Sequence, residues 1–149
     1  MTFLFRPADL RTSWAPIPGL PEVWCATLET AHLPDGGLSA ILHCVRPNET
    51  KVSIRIHLHF GHVLACWSTE QIIDPWQDDV WALFPMAHPP RSCPPLQEIS
   101  PSAWIKAIAD DPTHQSGASK WRHFEIASSD TVLHVISAGK LQAASFVEV

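Results

Sequence analysis

The strictest constraint on this chain lies between residues 51 and 60, where apolar and polar side chains alternate one for one. Ile54, Ile56, Leu58 and Phe60 fall at even positions, and Ser53, Arg55, His57 and His59 at odd ones. A period of two places successive side chains on opposite faces of an extended strand. No helix sorts this segment into two faces, so it specifies a half-buried strand in a sheet with one dry side.

The remaining apolar runs are punctuated in the same spirit. Most of the 14 prolines lie between them, where a fixed φ and a missing N–H interrupt no ladder. Residues 23–30 and 38–46 read as strands joined by the turn Pro34-Asp35-Gly36-Gly37, a hairpin. Residues 62–67 continue as strand beyond Gly61, so the first half is expected to form an antiparallel meander. Residues 7–13 are expected to make a short helical turn.

Helix signals cluster in the middle. Ser68-Thr69-Glu70-Gln71 has the form of a capping box, and Asp74-Pro75 suits the start of a second short helix through Trp81. Residues 85–95 are Pro-rich and read as a loop. Residues 100–109 carry the best helix pattern, with Ser100 as N-cap, Pro101 at the first position, and Trp104, Ile105 and Ile108 on one stripe. Three strand-like runs, 121–127, 131–137 and 141–149, close the chain, with Ser128-Ser129-Asp130 and Ala138-Gly139-Lys140 as turns. The expectation is one α+β domain over 149 residues. It has an antiparallel sheet of about six strands with one or two helices packed on it.

Bulk composition narrows the function classes. With 46% apolar and 17% charged residues the chain has the makings of a core. The formal charge of −5 and ten dispersed basic residues argue against nucleic-acid binding, which needs clustered Lys and Arg. No signal-peptide pattern opens the chain and no apolar run reaches the length of a membrane span, so a cytoplasmic protein away from the membrane is expected. Cys25, Cys44, Cys66 and Cys93 form no Cys-x-x-Cys pair and read as reduced thiols of the core.

Two constellations are candidates for chemistry. His57 and His59 share a strand face, and a neighbouring strand that brought His43 or His62 alongside would supply ligands for zinc or iron in a metal-dependent or small-ligand-binding enzyme. The cupin pattern, which also has His-x-His, is not met: its following glutamate and its glycines are missing. Solvent-facing strand residues beside Ser53 and Arg55 are the simpler account, with no metal or other cofactor. The second constellation is Asp74, Trp76, Asp78 and Asp79, where carboxylates surround an aromatic anchor; interfaces draw energy from the aromatic and partner choice from the charges. A solvated helix with its Trp turned inward would produce the same pattern. No nucleophile elbow, phosphate loop or zincin motif occurs, so catalytic residues are not assigned.

Residues 121–137, from Trp121-Arg122-His123-Phe124 through Thr131-Val132-Leu133-His134, resemble the closing hairpin of small bacterial immunity-type, antitoxin-like proteins. The resemblance covers the C-terminal end of the chain, rests on a strand, turn, strand pattern and carries no catalytic residue across. It implies a protein-binding module that neutralises a partner toxin by occlusion. An acidic chain suits a basic toxin as that partner, with Asp74, Trp76, Asp78 and Asp79 as the contacts.

Overall fold

A computed structural model describes residues 11–70, 95–110, 121–129, 131–138 and 141–149. Within them lie nine strands: β1 (Arg11–Ser13), β2 (Trp24–His32), β3 (Leu38–Val45), β4 (Ile54–Phe60), β5 (Val63–Glu70), β6 (Leu96–Ile99), β7 (Trp121–Ala127), β8 (Thr131–Ala138) and β9 (Ala143–Glu148). One helix, α1 (Ala103–Asp110), stands between β6 and β7. The strands form two antiparallel sheets, ordered β1-β6-β7-β8-β5 and β2-β3-β4-β9. The antiparallel expectation holds. The strand count and the single sheet do not, because two sheets share the burial that one was expected to provide.

The alternation in β4 does what its period requires. Ile54, Ile56, Leu58 and Phe60 are buried, and they face Cys44, Leu42, Ala40 and Leu38 of β3 across the ladder. From the other sheet, Leu96, Phe124, Ile126, Leu133 and Val135 complete the same core. Phe124 is the joint between the sheets: its ring centroid lies 4.3 Å from that of Trp14 and 5.6 Å from that of Phe60. Cys25 and Cys44 meet as register partners inside this core, and with Cys66 they are free thiols.

The meander ends one strand sooner than expected. β2, β3 and β4 run as predicted, and Gly36 with φ 85° makes the first turn, where Gly37 donates to Asp35 Oδ1 at 2.9 Å. A Cβ at Gly37 would stand 2.5 Å from the Phe60 carbonyl oxygen, so this turn admits only glycine there. After Phe60, however, the chain leaves the sheet at Gly61-His62, and β5 pairs with β8 of the five-stranded sheet. β9 likewise does not continue the β7–β8 hairpin but returns to lie beside β4.

Three local expectations are corrected, and one strand was not foreseen. Arg11–Ser13 is strand, because it pairs with β6 instead of coiling. Ser68, Thr69 and Glu70 belong to β5, where the ladder to Leu133, Val132 and Thr131 outweighs a capping box. β6 lies just beyond the Pro-rich segment, its four residues too few to show a period. The helix at 100–109 begins later than expected, at Ala103, and its cap is Ser102: Ser102 Oγ accepts the Ile105 N–H at 3.2 Å. The expected second helix, at 74–81, and the loop at 85–94 lie outside the described residues.

Candidate functional site

The outer face of the five-stranded sheet holds a line of polar side chains that the sequence reading did not single out. Because Phe124 and Ile126 of β7 and Leu133 and Val135 of β8 point into the core, His123, Glu125 and His134 must point the other way. The turn after β7 sets their register. Ser128 and Thr131 close it with Ser128 N–H to Thr131 O at 2.8 Å and Thr131 N–H to Ser128 Oγ at 2.9 Å. This places Glu125 opposite His134 and His123 one diagonal step away.

The side chains then connect in series. Ser102 Oγ lies 2.7 Å from His123 Nδ1, and His123 Nε2 lies 2.8 Å from His134 Nδ1. His134 Nε2 is 3.5 Å from Glu125 Oε2. One assignment of protons runs through the whole line: the Ser102 hydroxyl donates to His123, His123 Nε2–H donates to His134, and His134 Nε2–H points at the Glu125 carboxylate. Both rings are then neutral. Trp104 of α1 meets His123 edge-on at 5.6 Å, and Trp67 of β5 lies 6.0 Å from His134.

A hydroxyl, an imidazole base and a carboxylate in line are the parts of a nucleophile and its activating relay. The surroundings give them a different use. Ser102 is 7% exposed, His134 1%, and His123 and Glu125 0%. The Ser102 oxygen also caps α1. The line ties α1 to β7 and β8.

The predicted histidines lie on the other sheet. His57 is exposed on the outer face of β4, with Ile41 and Ser145 as its cross-strand neighbours. His59 shares that face between Ser39 and Ala143, and its Nε2 stands 3.9 Å from Asp35 Oδ2. His43 faces Arg55, diagonal to His57, with Nε2 3.5 Å from Glu29 Oε2. His62 stacks on Trp121 at 5.5 Å, at the crossing between sheets. Among the described residues no three His, Cys, Asp or Glu side chains are grouped to hold a metal ion. Asp74, Trp76, Asp78 and Asp79 lie outside the described residues.

Two further features were not expected. Arg122 forms a forked pair with Glu98, Nε to Oε2 at 2.6 Å and Nη2 to Oε1 at 2.8 Å, and its guanidinium lies 4.9 Å from the centre of the Phe124 ring. The hydrogen bonds Arg122 donates to Glu98 push its pKa further up. An open cavity of about 340 Å³ beside it is lined by Trp14, Pro16, Arg122 and residues 141–144. Cys66, 4.0 Å from His32 Nε2, has its thiol pKa pushed up by burial, which disfavours the thiolate a nucleophile needs.

No family model matches this chain, and no curated protein or solved structure matches it.

Proposed function

We propose that this chain is a protein-binding module of the immunity type, which neutralises a partner toxin by covering its working surface. The observation that carries the reading is the contrast between closed and open polar groups. The one hydroxyl–imidazole–carboxylate line among the described residues is buried and capped. By contrast, the four-stranded sheet exposes Glu29, His57, Ser145 and Val147 on a mixed outer face, with no described helix packed over it. Occlusion requires surface and shape, and no reacting group.

The partner contacts in this reading are Asp74, Trp76, Asp78 and Asp79, and a basic partner suits the chain's charge of −5. The test pairs the purified chain with the product of its neighbouring gene. A one-to-one complex, weakened about tenfold or more by the double reversal Asp78→Lys with Asp79→Lys, supports both the module and its patch. The variant's circular dichroism should be unchanged. A complex with the same affinity removes the patch, and the absence of any complex removes the immunity reading.

A further inference from the structure

Four strands end the two sheets, and three of them carry devices that hinder pairing with another chain. β1 has three residues. β2 is bulged between Cys25 and Thr27 and exposes Glu29, and β5 is irregular between Val63 and Ala65. Short edges, bulges and charges are the usual means of keeping an edge single. β9 is neither short nor bulged. Its register with β4 runs unbroken from Ala143 to Glu148, it contains no proline, and its one charge is at its last residue.

Among the described residues nothing pairs with the free side of β9. Val149 N–H donates to Ser53 O at 2.9 Å, so by antiparallel alternation Val147 and Ser145 bond to β4. Ala144, Phe146 and Glu148 then turn their N–H and C=O groups outward. Ala143, Ser145, Val147 and Glu148 are exposed, Val147 by 49%. Among the described residues only β4 pairs with this strand.

We infer that β9 is a homodimer edge, on which a second copy of this chain adds its own β9 antiparallel about a two-fold axis through Ser145. The strand complements itself in that register. Ala143 falls opposite Val147 on the outer face and Ala144 opposite Phe146 on the inner face, small against large in each case. The outward-pointing Ala144 and Phe146 become the hydrogen-bonded pair, as the backbone requires. The two Glu148 carboxylates lie at opposite ends, about 20 Å apart along the strand, whereas parallel pairing would set them side by side. An axis through Phe146 instead would set that ring against itself. The product is one eight-stranded sheet, and its formation is independent of any toxin.

Sedimentation velocity of the full chain over a wide concentration range tests this, with thermal unfolding as the control for folding. A concentration-dependent dimer is expected. Ser145→Lys and Ser145→Glu each place like charges at the axis and should weaken it about tenfold or more. An equimolar mixture of the two variants should restore it. Ser145 pairs with its copy at a non-hydrogen-bonded position, where Cα atoms approach to about 4.5 Å. Ser145→Cys should therefore cross-link on mild oxidation. A wild-type chain that stays monomeric, a dimer indifferent to both charges, or charge variants that fail to rescue one another would each overturn the proposal.

Discussion

Two pairs of histidines two or more residues apart on strands sit in opposite circumstances. His57 and His59 stand on the outer face of a sheet with no described helix over it, and their neighbours across the strands are Ile41, Ser145, Ser39 and Ala143. His123 and His134 stand on the outer face of the other sheet, but α1 packs there, and both rings are buried and bonded to one another. The lesson is that a face opposite the core is wet only if nothing covers it. Once covered, its polar residues must find partners within the protein, since a buried group without one costs about 1–3 kcal/mol.

The sharpest way to break this contrast is His134→Ala. It removes a partner of His123 Nε2 and the imidazole 3.5 Å from the Glu125 carboxylate inside a buried site, and should cost about 3 kcal/mol of stability in urea unfolding. A loss below about 0.5 kcal/mol would mean that the line contributes nothing. Ser102→Ala removes both the cap of α1 and the first link of the line, for an expected loss of about 1–2 kcal/mol, with Ser102→Thr retaining most of it. If the alanine variant were as stable as the parent, Ser102 would join nothing to the helix. The smallest effect belongs to the double change His57→Ala with His59→Ala. Stability should move by no more than about 1 kcal/mol, since His57 is exposed and His59 only half-buried. Loss of a stoichiometric metal on that change, measured by elemental analysis, would reverse the assignment of the two pairs.

Much of the local architecture was legible in the residues. The alternation in β4, the Asp35-Gly36-Gly37 turn and the closure between Ser128 and Thr131 each reflect backbone chemistry within a few positions, and they appear where that chemistry puts them. The buried line left a weaker trace. His123 and Glu125 interrupt one apolar strand two positions apart, His134 interrupts the next, and the turn length alone would have set Glu125 against His134. Their significance was hidden because the fourth member, Ser102, lies 21 positions from His123. The start of α1 was misread for a related reason: Ser100 and Pro101 also carry a capping signature, and Ser102, which caps Ile105 N–H, is in addition held by its contact with His123.

By itself the sequence determined the strands with clean period, the turns between adjacent strands and the dry face of β4, because period and turn chemistry act over a few residues. Tertiary structure decided that there are two sheets. It sent β5 to β8 and β9 to β4, covered one outer face with α1 and left β9 at the edge of its sheet. Those choices turn on which distant apolar faces enclose Phe124 and Phe60 together, a gain that no local segment contains.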